Sequence, residues 1–148
     1  MAPIKVLFVC LHNSARSQMA EAFVNRLATG KIIAQSAGLA PGNLNPVVVS
    51  VMKEVGIDIS GNSTKSVEDF IKRKDQYDYV ITVCDEASAE RCPVFPGKVK
   101  KLHWGFEDPS SLKGSEEEKN ARTRLIRDQI KAKVQQWIVT LTHQGADQ

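Results

Sequence analysis

Cys10 and Arg16 bracket a stretch, "CLHNSARS" over residues 10–17, whose residue types and spacing suit oxyanion chemistry. It follows the apolar run "IKVLFV" and leads into "QMAEAFVNRLATG", which reads as a helix. A loop passing from strand to helix exposes backbone N–H groups that no intrahelical carbonyl can satisfy. Together with the positive end of the helix dipole, these groups hold phosphate-like anions. Asn13, Ser14 and Ser17 are small polar residues able to brace such a loop through side-chain to backbone bonds. Arg16 adds a planar fork that fits a tetrahedral oxyanion bidentately. Nucleoside-triphosphate loops need a Gly-rich stretch ending in Gly-Lys-Ser/Thr, and this chain has none there.

Cys10 opens the loop. Helix N-termini and neighbouring cations lower thiol pKa values from about 8.5 into the range of roughly 3.5–7.5. The expected nucleophile is therefore a thiolate facing the central atom of a bound oxyanion. The plainer alternative is a buried cysteine closing a strand. Cysteine and arginine at this spacing occur by chance in many chains, and the signal gains weight from the strand before it and the helix after it. Two more cysteines, Cys84 and Cys92, bound the polar, Ala-rich stretch "CDEASAERC", which is expected to move or partly unfold at modest cost.

The elements that position these residues alternate between strand and helix. Residues 4–10 form an apolar run suited to a buried parallel strand. Helical spacing of Met19, Ala20, Phe23 and Leu27 predicts a helix over 17–29, closed by Gly30. Residues 31–38 read as a second strand. Over 45–56 the valines favour strand, but Asn45 as N-cap, Pro46 at the first helical position and Gly56 as a stop predict a helix. Ser66 with Asp69 marks another helix start. Strands are expected over 77–84 and 98–103, the latter an edge or fourth strand. Ser115 and Glu118 make a capping box for a final helix whose stripe is Ala121, Leu125, Ile130, Val134, Trp137 and Leu141.

This order predicts an α/β fold with a parallel sheet covered by helices on both faces. Ligands bind such sheets at the carboxyl ends of strands, where Cys10 and Cys84 both fall. His103, Trp104 and Trp137 are assigned to packing or surface.

The bulk properties fit one soluble domain over 1–148, with 42% hydrophobic and 25% charged residues. No apolar run approaches the roughly 18 residues that span a bilayer. The N-terminus lacks a basic region followed by a long apolar one, so the expected location is the cytoplasm. Disulfide frameworks are rare in such a reducing compartment. The net charge of +3 is unclustered. Bases over 119–133 follow Glu116, Glu117 and Glu118 and complement the helix dipole, which argues for a solvated face rather than a nucleic-acid patch.

"VCLHNSARSQMAEA" resembles the signature of the low-molecular-weight protein tyrosine phosphatase superfamily, and in particular its thioredoxin-coupled arsenate reductase branch. "HWGFEDP" over 103–109 and the closing "EEEKNARTRLIRDQI" are similar to that branch as well. The resemblance implies a four-stranded parallel sheet flanked by helices. It also implies that residues Leu11, His12, Asn13, Ser14, Ala15, Arg16 and Ser17 bind the substrate. His12 departs from the glycine that many phosphatases of this fold carry there; it reads as a loop residue and is assigned no catalytic role.

Asp108-Pro109 by itself favours a turn. The resemblance makes Asp108 the donor of a proton to the leaving oxygen, a step that needs a general acid. It further implies a relay in which Cys10 attacks arsenate, Cys84 attacks Cys10, and Cys92 attacks Cys84, leaving a Cys84–Cys92 disulfide for thioredoxin.

The alternative is a tyrosine phosphatase working through a Cys10 phosphocysteine, which needs only Cys10, Arg16 and Asp108. Tyrosine phosphatases of this fold carry aromatic residues directly after Asp-Pro, whereas this chain reads "DPSS". A zinc site from Cys10, His12, Cys84 and Cys92 lacks the usual ligand spacing. A non-catalytic anion-binding or thiol-sensing module would keep the loop but needs no acid.

The expectation is a monomer acting on arsenate or a similar oxyanion, with thioredoxin as reductant and no resident cofactor or metal. Some family members hold a potassium ion with side chains corresponding to Asn13, Glu21 and Ser36. Here Lys65 falls near a further acidic ligand's position, so its ammonium is expected to replace the ion and pair with Glu21.

Overall fold

The computed structural model describes residues 3–84, 92, 95 and 97–146, with side chains as far as 142. The first apolar run becomes strand β1 (Ile4–Cys10), buried from Val6 to Cys10. Burial on both sides is what a central parallel strand requires. β2 (Ile32–Gly38), β3 (Tyr79–Thr82) and β4 (Lys100–His103) complete a sheet of order β2-β1-β3-β4. All three pairings are parallel. Cys10 stands opposite Gly38, and Val9 opposite Thr82. The last two strands are shorter than the runs predicted for them, and β4 is exposed along its length, as suits an edge.

Among the described residues four helices cover the sheet: α1 (Arg16–Leu27), α2 (Pro46–Glu54), α3 (Val67–Lys72) and α4 (Glu116–Ala146). Capping decides the ambiguous valine run of α2. Asn45 Oδ1 accepts the N–H of Val47 at 2.9 Å and of Val48 at 3.3 Å, with Pro46 at the first position. Ser66 Oγ accepts from the Glu68 N–H, and Ser115 Oγ from that of Glu118.

Alternation along β1 splits the core in two. Val6, Phe8 and Cys10 join α1, α2 and α4 in one buried cluster. Leu7 and Val9 join α3, Tyr77 and Phe95 in another. Phe8, Tyr79, Trp104 and Trp137 meet with ring centroids 5.3–6.5 Å apart, so both tryptophans pack as expected. Burying one such ring stabilises the fold by about 1.5–3 kcal/mol.

Three apolar assignments fail. Ala121 and Leu125 are exposed, and the α4 stripe runs instead through Ile126, Ile130, Val134 and Trp137. Leu125 precedes Ile130 by five residues, which rotates it about 140° away at 3.6 residues per turn. Leu27 is also exposed, because α1 ends there and Val24 and Ala28 take the buried positions. Among the described residues no helix is long and apolar enough to cross a membrane.

Candidate active site

β1 delivers Cys10 to the carboxyl end of the sheet, and six residues later the chain enters α1. The turn between them wraps the sulfur. Asn13 sits at φ 55°, a left-handed conformation that Asn tolerates better than most residues. Its N–H donates to Cys10 Sγ at 3.1 Å, and Ser17 Oγ lies 2.9 Å from the same sulfur.

The buried Asn13 side chain braces the loop from inside. Its Nδ2 donates to Ser17 Oγ at 2.8 Å, and its Oδ1 accepts from Gln18 Nε2 and from the Lys65 backbone N–H. Gln18 is itself fully buried. Its amide also donates to the Asn13 and Ser63 carbonyls and accepts from Asn62 Nδ2. Ser14 does not share in this bracing as expected from its type; its carbonyl accepts the Asn45 N–H instead.

That last bond belongs to a strap. The carbonyls of Cys10, Leu11, His12 and Ser14 accept the N–H groups of Leu39, Ala40, Gly42 and Asn45 at 2.8–3.1 Å. In a trans peptide the N–H points opposite to the carbonyl. Tying the carbonyls to the strap therefore turns the following N–H groups the other way, as the Asn13 N–H to the sulfur illustrates. His12 completes the strap by donating from Nδ1 to the Ala40 carbonyl at 2.8 Å. A Cβ on Gly38 would lie 2.8 Å from Asn13 N, so only glycine fits beneath the loop. No side chain caps α1, whose N-cap is Ala15. The first-turn N–H groups stay available to an anion.

Arg16, nearly buried, begins α1 and reaches over this bowl. Its Nη1 donates to the Phe106 carbonyl at 3.1 Å, and Nη2 lies 3.7 Å from Asp108 Oδ2. Asp108 caps a 3-10 turn, Pro109–Ser111, accepting from the Ser110 N–H at 2.9 Å and from Ser111 Oγ at 3.2 Å. The turn reading of Asp-Pro thus describes the local structure, and the same turn carries the carboxylate to Arg16. Thiol, guanidinium and carboxylate converge on one end of the sheet.

The model of the low molecular weight phosphotyrosine protein phosphatase family matches residues 5–147. The chain belongs to that family. The arsenate reductase of Bacillus subtilis (strain 168) is 40% identical over 135 residues, covering 91% of this chain and 95% of that protein. A solved structure of an arsenate reductase in the phosphate binding state superposes with a TM-score of 0.74 at 35% identity, covering 93% of this chain and 98% of that one. The thioredoxin-dependent arsenate reductase Cg_ArsC1' of Corynebacterium glutamicum gives 0.63 at 29% identity, over 90% of this chain and 63% of that one.

This phosphatase-family chain carries its other two cysteines in different settings. Val83, just past β3, donates its N–H to the Val9 carbonyl at 2.9 Å, so the chain still runs beside the end of β1. Cys84 follows, buried in the same cluster as Cys10. Cys92 is half-buried and packs against the cluster on the opposite face of the sheet. Burial pushes the Cys92 thiol pKa up, and the Lys101 ammonium opposes it. Residues 85–91, expected to be the moving part, lie outside the described residues.

Beneath the bowl, Glu21 accepts from Ser36 Oγ at 3.2 Å. Burial raises its pKa, while the Lys65 ammonium and Ser36 pull it down. Lys65 and Glu21 do not make the direct bond expected. The ammonium donates to the Ser63 carbonyl two residues away, at 3.2 Å, and acts on Glu21 through space. Asn13 Oδ1, which a potassium ion would need, already accepts two N–H groups. These side chains do not fit a resident cation. The zinc alternative is not supported by the placement of its ligands: Cys92 packs on the opposite face of the sheet from Cys10 and Cys84, and among the described residues no three His, Cys, Asp or Glu side chains gather as a metal site needs.

Gln18, Asn62, the Phe106 carbonyl and the strap were not visible in the sequence. Gln18 falls one residue after the last loop position and looks like any polar helix residue. Only its place beside the turn hinted at burial.

Proposed function

We propose that this protein is an arsenate reductase that passes its oxidation from Cys10 through Cys84 to Cys92. The observation that carries the reading is that Cys10 and Cys84 follow adjacent parallel strands into one buried cluster beneath an oxyanion bowl. A phosphatase has no use for the second thiol.

Arsenate enters the bowl, held by loop N–H groups and the Arg16 fork. The Cys10 thiolate attacks arsenic, and a sulfur–arsenic bond forms as one oxygen leaves. Asp108 supplies the proton that lets it depart as water. Cys84 then attacks Cys10 sulfur. A disulfide forms, the sulfur–arsenic pair stays on arsenic, arsenic(V) becomes arsenic(III), and arsenite is released. Cys92 attacks Cys84, expelling the Cys10 thiolate, and a thioredoxin dithiol reduces the Cys84–Cys92 disulfide. A reducing cytoplasm supplies that partner. The protein works as a monomeric single domain with no resident cofactor, and the Lys65 ammonium takes the place of a monovalent cation.

The test is arsenite production coupled to thioredoxin, thioredoxin reductase and NADPH, run beside aryl-phosphate hydrolysis. Cys10→Ser abolishes both activities. Cys84→Ala abolishes multiple-turnover reduction and spares hydrolysis. NADPH consumption independent of arsenate would overturn the reading in favour of the phosphatase, and sustained reduction by Cys84→Ala would remove Cys84 from it.

A further inference from the structure

Asn45 uses every polar group it has, and they point to three different elements. Its backbone N–H donates to the Ser14 carbonyl of the anion loop at 3.0 Å. Its backbone carbonyl and Oδ1 serve the first turn of α2. Its Nδ2 donates to Ser110 Oγ at 3.0 Å, across 65 residues of sequence. Ser110 is the residue whose N–H holds Asp108 Oδ1. Capping α2 needs only the oxygen, so the helix leaves the second donor unexplained.

The acid turn is otherwise tied to the anion loop through Arg16, by the Phe106 carbonyl and the Asp108 contact. A tetrahedral oxyanion in the bowl competes for that guanidinium, because two charged oxygens match its fork better than one carboxylate oxygen at 3.7 Å. As Arg16 turns to the anion, its hold on Asp108 weakens at the moment the carboxyl must face the leaving oxygen. The Asn45–Ser110 bond does not involve Arg16 and persists through this exchange. Among the described residues it is the remaining side-chain hydrogen bond from the acid turn to the segment strapped on the loop.

We infer that Asn45 is a positioning residue for the proton-donating step, clasping the Asp108 turn to the anion loop through Ser110. The inference rests on the reading of Asp108 as the acid. It concerns alignment only, and the bowl itself is built without it.

Asn45→Ser separates the two roles, since serine caps a helix about as well as asparagine but carries no amide donor. The expected result is a kcat for arsenate reduction lower by about fivefold, the effect of losing one hydrogen bond of ordinary strength. KM for arsenate and Tm stay close to wild type. Ser110→Ala, which keeps the backbone N–H to Asp108, reproduces the loss. Neither substitution costs more in an Asp108→Asn background, where the aligned proton is gone.

Amide hydrogen exchange supplies a readout independent of turnover. Exchange at Ser110 and Ser111 accelerates in Asn45→Ser, while that at Val49 in α2 is unchanged. A raised KM with unchanged kcat would assign Asn45 to the anion loop alone and overturn the clasp. So would losses that multiply in the Asp108→Asn background, or unaltered exchange at Ser110. Absence of arsenate turnover in the wild type would instead overturn the proposed function, and exchange would still decide the clasp.

Discussion

The anion loop and the acid turn meet over the same space, yet they are built in opposite ways. Residues 10–17 sit on the core. Asn13, Ser17 and Gln18 have no solvent exposure, their polar atoms are bonded to one another, and four loop carbonyls are tied to the strap. The turn around Asp108 is anchored below by buried Trp104 and Pro109, but its working residues are partly or fully open to solvent. Its bonds to the loop are few and lie near the surface. Buried, fully satisfied polar networks rigidify, whereas exposed ties rearrange cheaply. On the proposed reading, the part that recognises charge is fixed before substrate arrives, and the part that moves a proton keeps freedom to adjust.

If this division holds, substitutions should sort by which parameter they change. Arg16→Lys comes first. It keeps the charge but loses the fork, so kcat/KM for arsenate falls about 10³-fold, with both kcat and KM affected. Near-normal kinetics would make Arg16 a structural residue. Asp108→Asn follows, lowering kcat about 10²-fold with KM nearly unchanged. A large rise in KM there would blur the line between the two regions.

Gln18→Ala touches no substrate. It strips bonds from Asn13, Ser63 and Asn62 in a buried site, costing about 1–3 kcal/mol and lowering Tm by roughly 3–10 °C. A thermal melt indistinguishable from wild type would show that the loop does not depend on its buried support. The smallest effect is none at all. With Lys65 supplying positive charge near Glu21, turnover is equal in sodium and potassium salts at matched ionic strength. Specific activation or thermal stabilisation by potassium would show that a cation site survives under the loop.

The same contrast explains what could be read from the chain. Signals carried by adjacent residues were legible: the apolar run of β1, the cysteine-to-arginine spacing, the Asn45-Pro46 cap that overrode the valines, and the Ser115–Glu118 box. Contacts between segments far apart in sequence were not. Nothing in Asn62 or Ser63 marks them as partners of Gln18, because those bonds depend on how the loop after α2 returns to the sheet. Leu125 misled for a local reason, since an apolar residue five positions from the next falls off a helical stripe while still resembling part of one. Cys84 was expected to end its strand, but β3 stops two residues earlier, at Thr82.

The strap holds the loop almost wholly through its main chain, so the identities of its side chains carry little of that task. Leu39, Ala40, Asn43 and Leu44 can drift in sequence, altering size and polarity around the rim while the loop carbonyls keep the same partners. Proline is the exception, because it has no N–H to give. Proline is harmless at 41, where it already stands, but at 39, 40, 42 or 45 it would release a loop carbonyl. Lineages can therefore retune which oxyanion is admitted without rebuilding the machinery that attacks it, and the substitutions barred from that drift are set by the backbone rather than by the chemistry.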